Sequence, residues 1–393
     1  MTDDAPGSQR ALRRSNTRLV LQALRANGPL SHAQLARRTG LSRASVTNIV
    51  RELGAEGRVA VNAEVRSGRN ARVVSVVPRS GLVSCINVGR THLRVSLADL
   101  EQNVVSEDEV VLEENHLPSH SISTTVGMLR LQVTAAGASM SQLRGVVIGA
   151  PGPLDSATRR VEPGSLMPRW VAVDLGAAFH EQLQVPVLVE NDANLGALGE
   201  FRCGQYGREV QNLVYIRITS GIGAGLILGG RLHHGASGVA GEIGHTVVES
   251  NGPLCRCGNR GCLERYAVAP SMLDLDRVNR GALNTVDDLI RLAIEGEITC
   301  RRVIEDRARH LGTAVANLCN TINPDVVVFA GPLTAVGDLL LDPVREVVDR
   351  RAVPSAARAV RISAARFGHR AEVLGGLALA VDTFAQDSPA DIS

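Results

Sequence analysis

A chain of 393 residues exceeds one ordinary hydrophobic core, so two or three folding units are expected. With 44% hydrophobic but only 2% aromatic residues, that core must rest on Val, Leu, Ile and Ala; no apolar run reaches the ~20 residues of a membrane span. The net charge of +2 conceals an asymmetry: residues 1–79 hold fourteen arginines against five acidic residues, a net +9, which leaves −7 for the rest.

A small basic module on an acidic body points to an anionic partner for the module alone. The basic residues are all arginine, which reflects base composition more readily than function. The acidic start, Met1 to Asp4, lacks the apolar core of a signal peptide, so a cytoplasmic location is expected. Seven cysteines, an odd number, fit a reducing compartment with metal binding better than a disulfide framework.

Residues 16–26 read as an amphipathic helix with Leu19, Val20, Ala23 and Leu24 on its apolar face, stopped by Asn27-Gly28-Pro29. Ser31 is placed to cap a second helix that runs through Arg38. Thr39-Gly40-Leu41-Ser42 is the turn, and a third helix over about 43–53 puts Val46, Ile49, Val50 and Leu53 inward. Two β-rich runs, 58–61 and 72–77, then flank Ser67-Gly68-Arg69-Asn70 as a hairpin.

Helix, glycine turn, polar-faced helix and basic hairpin make a winged helix-turn-helix, whose second helix enters the major groove. The candidate DNA-binding residues are Ser42, Arg43, Ser45, Thr47, Asn48, Arg51, Arg66 and Arg69, with Arg72 beside them. The plainer alternative is a three-helix interaction module with solvated arginines. Pro78 to Gly81 reads as a linker, giving a DNA-binding unit at 1–78 and a second unit at 79–393.

The second unit opens with a strand-turn-strand over 82–99, a helix at 121–138, and a strand at 143–148 that ends in Gly149-Ala150-Pro151-Gly152-Pro153. A strand at 185–189 empties into Glu190-Asn191-Asp192-Ala193-Asn194 and a helix. Another at 210–218 leads to the glycine turn 219–225. Residues 266–320 read as mostly helical; a strand at 325–329, a helix, a short strand at 360–363 and a closing helix at about 370–384 follow. Strands alternating with helices, with glycine turns at strand ends, indicate an α/β fold in two lobes around a cleft.

Between the glycine turn and the helices lies the most specific stretch. Gly241-Glu242-Ile243-Gly244-His245 is followed by Cys255, Cys257 and Cys262, then Leu263-Glu264. One imidazole and three thiolates are the ligand types of a closed tetrahedral structural zinc site, so His245, Cys255, Cys257 and Cys262 are the expected metal ligands. The alternative is four ordinary cytosolic side chains. Glu242 and Glu264 bracket the ligands without being needed by the metal.

Taken in order, the glycine loop at 149–153, the Glu190–Asn194 run, Ser220-Gly221-Ile222-Gly223-Ala224-Gly225 and the His/Cys stretch closely resemble the ROK family of repressors and sugar kinases. The resemblance covers about residues 80–385, and the winged helix matches its repressor branch. It implies a two-lobed actin-like, sugar-kinase-like fold with a structural zinc. It also implies that Asn191, Asp192, Glu242, His245 and Glu264 contact a sugar, with Asp192 at the position of the kinases' general base. By the same resemblance His245 serves twice, one ring nitrogen on the metal and the other toward the sugar. Taken alone, Asn191-Asp192 reads better as a helix cap.

Three departures stand on the nucleotide side and in the sugar wall. Kinases of the family usually carry Asp-x-Gly-Gly-Thr, where this chain has Asn87-Val88-Gly89-Arg90-Thr91. Ala330-Gly331-Pro332 replaces a usual Gly-Gly pair, and Leu166 stands where many relatives have Asn. The expectation is therefore a homodimeric or homotetrameric repressor on a palindromic operator, responding to a sugar or sugar phosphate without catalysis. The alternative is an active ATP-dependent sugar kinase that carries a DNA-binding module; a DNA-binding protein with a ligand-free body would leave Glu242 and Glu264 without a role.

Overall fold

The structure, a computed structural model, describes residues 16–385 apart from 18, 22, 25–29, 56–58, 67–68, 77–80, 156–157, 159, 163–164, 205, 207–208 and 269–284. It divides into two compact units, Met1–Ser80 and Gly81–Ser393.

In the first unit, helices α1 (His32–Thr39) and α2 (Arg43–Ala55) are held by their caps. Ser31 Oγ accepts from Gln34 N, and Gln34 Oε1 accepts from Ser31 N at 2.8 Å, a reciprocal capping box. Gly40, at φ 70°, ends α1 in the left-handed conformation, and Ser42 Oγ caps α2 by accepting from Ser45 N at 3.1 Å. Val46, Ile49, Val50 and Leu53 turn inward against Leu35 and against Val20, Leu21 and Leu24 of the preceding helical segment. Strands β1 (Val59–Arg66) and β2 (Arg69–Val76) pair antiparallel from Val59↔Val76 to Arg66↔Arg69. They run longer than the β-rich sequence suggests, because the ladder continues through the polar residues to either side of the tip. The tip, Ser67-Gly68, lies outside the described residues.

The second unit contains two sheets built to one plan. The first has the order β5-β4-β3-β6-β7, from β3 (Leu82–Val88), β4 (His92–Asp99), β5 (Val104–Val111), β6 (Leu143–Ala150) and β7 (Val187–Asn191). The second has the order β10-β9-β8-β11-β12, from β8 (Leu213–Ile218), β9 (Ile222–Leu228), β10 (Arg231–Leu232), β11 (Val326–Ala330) and β12 (Arg361–Ala364). Each is an antiparallel meander continued by two parallel strands.

The outer face of the first sheet is covered by α3 (Pro118–Ala135) and α4 (Leu175–Leu183). The outer face of the second carries α7 (Val286–Glu295), α8 (Ile298–Ile322) and α9 (Asp338–Arg351), beyond the short α6 (Glu264–Ala267); α10 (Pro354–Ala359) precedes β12. Between the sheets lie α5 (Asp192–Cys203) and α11 (Arg370–Phe384), where Leu195, Leu198 and Leu377 meet Val83 and Val147 of one sheet and Tyr215 and Val328 of the other.

The two central helices cross backbone to backbone. A Cβ on Gly199 would fall on Ala371 O, and one on Gly375 would fall on Leu195 O. This contact sets Leu195 of α5 against Gly375 of α11, and Gly199 against Ala371, so the two helices cross antiparallel at their closest.

Candidate functional site

A cavity of about 790 Å³ opens where the strand ends of the two sheets meet. Asn191, Asp192 and Glu242 line it, as do Leu166, Arg217 and the Gly89–His92 turn. Asn191 ends β7 and caps α5: its Oδ1 accepts from Ala193 N at 2.8 Å and Asn194 N at 3.3 Å. The cap and the ligand readings of this residue therefore meet in one side chain, its carbonyl given to the helix while the residue faces the cavity.

Asp192 opens α5 and is 9% exposed. Its Oδ2 lies 3.0 Å from Arg217 Nη1, and Arg217 Nε lies 2.5 Å from Glu372 Oε1. Burial, with Glu372 adding to it, pushes the Asp192 carboxyl up to about 6 although Arg217 pulls the other way. Burial and the neighbouring Asp192 push Glu242 up to about 7. For Arg217 burial opposes the charge, but Asp192 and Glu372 outweigh it and hold the guanidinium protonated.

Sequence reasoning passed over Arg217 and Glu372. The available signal was an arginine inside the apolar, buried run Leu213-Val214-Tyr215-Ile216-Arg217-Ile218.

The metal cluster is assembled by a short hairpin behind this cleft. The 3-10 turn Ile243–His245 presents the imidazole, and Cys255 N donates to Asn259 O at 2.7 Å to close the Cys-x-Cys reversal. The ligand atoms of His245, Cys255, Cys257 and Cys262 all lie within 4.8 Å of one another. Cys257 Sγ is 3.7 Å from Cys262 Sγ, and Cys255 Sγ is 3.6 Å from His245 Nδ1. Metal–sulfur bonds of ~2.3 Å in a tetrahedron put the sulfurs ~3.8 Å apart, so the donor set fits a bound metal.

Glu264 differs from expectation in its setting. It is 4% exposed, its Oε2 accepts from Arg256 Nη2 at 2.8 Å, and its Oε1 faces Cys255 Sγ at 3.2 Å and His245 Nδ1 at 3.7 Å. Neither Glu264 nor His245 forms the cavity wall, whereas Arg256 does. The two stand one layer back, between metal cluster and cleft.

In the first unit Ser42, Arg43, Thr47, Asn48 and Arg51 are exposed along α2, and Ser45 is half-buried. Some polar atoms already have partners: Ser42 Oγ meets Ser45 Oγ at 2.9 Å, Thr47 donates to Arg43 O, and Arg51 Nη2 donates to Asn48 Oδ1 at 3.1 Å. Arg66 and Arg69 form the last register pair beside the tip, and Arg72 is exposed. No helix among the described residues is long and apolar enough to cross a membrane.

Comparison with known proteins agrees with this geometry. The family described as "ROK family" matches residues 83–383, and "Winged helix-turn-helix DNA-binding" matches 13–60. The xylose repressor of Bacillus subtilis (strain 168) is 31% identical over 379 residues, 96% of this chain and 97% of that protein. A glucokinase of Halalkalibacterium halodurans is 31% identical over 307 residues, 74% of this chain and 92% of its own. A crystal structure of a ROK family transcriptional regulator, homolog of E. coli MLC protein, superposes with a TM-score of 0.75 at 25% identity, covering 95% of this chain and 96% of the other. Two sheets of one plan, the acidic cleft, the His/Cys cluster and the sequence match over 83–383 agree, and the chain belongs to the ROK family, with a winged helix-turn-helix in front.

Proposed function

We propose that this protein is a transcriptional repressor whose affinity for operator DNA is set by a sugar held in the cleft. The observation that carries the reading is the cleft's own chemistry. Asn191, Asp192 and Glu242 converge on one cavity, while Asn87 stands where the resemblance expects the carboxylate that serves a nucleotide. Carboxylates accept well from sugar hydroxyls, and the winged helix supplies a DNA contact. The match to a repressor over 96% of the chain, winged helix included, supports the same reading. We take the bound species to be a dimer on a palindromic operator, one half-site per subunit.

A neutral sugar fits better than a sugar phosphate. Each arginine of the cavity wall already faces a carboxylate: Arg90 with Glu114, Arg217 with Asp192 and Glu372, Arg256 with Glu264. Leu166 puts an apolar side chain on the wall where the resemblance expects an amide, which suits a ligand with one hydroxymethyl group fewer, a pentose such as D-xylose. Asn191, Asp192 and Glu242 would meet the sugar directly, with His245 and Glu264 setting the wall from behind. Zinc is the metal that three thiolates and one imidazole suit, and bound there it supplies structural cross-linking of the loop that carries Glu242.

The test is selection of binding sites from random DNA duplexes by the full chain, followed by titration of the selected duplex with and without D-xylose, D-glucose and glucose 6-phosphate. Sequence-selective binding that D-xylose shifts supports the reading; binding unmoved by any of the three sugars would refute it.

A further inference from the structure

Arg217 is a charged side chain of the cleft that neither the winged helix nor the sugar contacts call for, and it alone of the wall arginines bridges two helices among the described residues. Arg217 leaves β8 of the second sheet and forks between two helices: Nη1 to Asp192 Oδ2 at 3.0 Å on α5, Nε to Glu372 Oε1 at 2.5 Å on α11. Its side chain is 18% exposed and those of the two carboxylates 12% and 6%. Nη1 also reaches Thr219 Oγ1 at 3.2 Å, and Asn87 Nδ2 steadies the far oxygen of Glu372 at 3.5 Å. A planar guanidinium with several fixed N–H groups can hold two carboxylates at a set separation, which an ammonium cannot.

We propose that Arg217 is the positioning residue of this cleft, a cation of the chain's own that fixes the Asp192 carboxylate toward the bound sugar by anchoring it to Glu372. This rests on the reading of the cleft as a sugar site. A carboxylate already held in place loses little freedom when a hydroxyl donates to it, so Arg217 strengthens binding without touching the sugar. It also keeps that carboxylate ionised in a buried setting. The charged and titratable groups that face Asp192 are Arg217 from β8, Glu372 from α11, His92 at the start of β4 and Glu242 from the 241–245 turn. Removing the guanidinium leaves the two acidic neighbours and burial opposed only by the Ala193 backbone N–H and His92, so Asp192 would ionise at higher pH.

The experiment is calorimetric titration of the full chain with D-xylose, D-glucose and N-acetyl-D-glucosamine from pH 5.5 to 8.5, comparing wild type with Arg217→Gln, Arg217→Lys and the double variant Arg217→Gln/Glu372→Gln. Wild type binds one of the probes more tightly as pH rises. Arg217→Gln binds that probe at least tenfold more weakly at pH 7, with the midpoint of its pH profile moved upward. Arg217→Lys keeps the midpoint near wild type while losing part of the affinity. The double variant removes one buried like charge together with the guanidinium, so it reports on Asp192 even where Arg217→Gln fails to fold; weaker binding is expected there too.

Wild-type affinity and midpoint in whichever of the two Gln-containing variants folds would overturn the role of Arg217 and leave the sugar site standing. A wild type that binds none of the three sugars at any pH would overturn both.

Discussion

Asn87 Nδ2 donates to Glu372 Oε2 across 3.5 Å, in a strand end where the family's kinases carry a carboxylate. The amide serves here because Glu372 and Asp192 already share a single guanidinium. Phosphoryl transfer needs a metal and its counter-charges placed at the nucleotide, and Asn87 brings no negative charge there. We expect no ATP-dependent phosphorylation of D-xylose or D-glucose in a coupled assay. Asn87→Asp would add a third buried carboxylate and lower stability by on the order of 1–3 kcal/mol without restoring turnover. Turnover of the wild type at ~1–100 s⁻¹ that Asp192→Asn abolishes would make the chain an enzyme.

The raised carboxyls give the cleft a pH dependence of definite sign. Asp192 titrates near 6 and Glu242 near 7 in the fold, against ~4 in an unfolded chain. Their contribution to the stability of the sugar-free fold is whole below ~4 and is lost as pH rises through 6 to 7. Sugar hydroxyls donate to the ionised forms and recover part of that loss. The rise in melting temperature caused by D-xylose is therefore larger at pH 8 than at pH 5.5. Equal rises at both would argue against these carboxylates as the sugar's partners.

Removing one metal ligand should loosen the whole loop from Gly241 to Glu264. Cys262→Ser is expected to bring zinc below half an equivalent by elemental analysis, to lower the melting temperature by several degrees, and to blunt the response to sugar, because Glu242 rides on that loop. Wild-type protein, freshly purified, should hold about one zinc per chain. A wild-type preparation with less than half would count against the assignment.

On the DNA side, Asn48 and Arg51 are already joined at 3.1 Å on the exposed face of α2. Asn48→Ala should change the preferred base at one position of each half-site by about 1–3 kcal/mol. Arg69→Ala should weaken binding to all sequences alike and lower the slope of log affinity against log salt by about 1. Operator binding that survives deletion of residues 1–77 would show the module to be something else.

How far the sequence reaches depends on the range of the forces involved. The caps at Ser31 and Ser42, the left-handed Gly40 and the helix over 370–384 are local matters, and the residues that decide them are neighbours in the chain. The His/Cys cluster is nearly as local. The strand β5 escaped notice because Ser106-Glu107-Asp108-Glu109 lies within it; as an edge strand with little burial it tolerates charge that a central strand would not. Arg217 was invisible for a different reason. Its meaning depends on Glu372, 155 residues away, and only the meeting of the two sheets shows that they pair. Glu264 stands behind Arg256 at the cavity, a detail of depth that spacing in the sequence does not carry.

The backbone contact of α5 with α11 has a consequence for how sensing can be lost. One guanidinium has a fixed span, so it can grip both helices only while they stay this close, and that closeness is set by hydrogen atoms at Gly199 and Gly375. A methyl group at either glycine would pry the helices apart and release Asp192 from its anchor. Such a lesion would replace no residue that meets sugar or DNA, yet would blunt the response to sugar. A lost response to sugar would then trace to two residues that meet neither ligand.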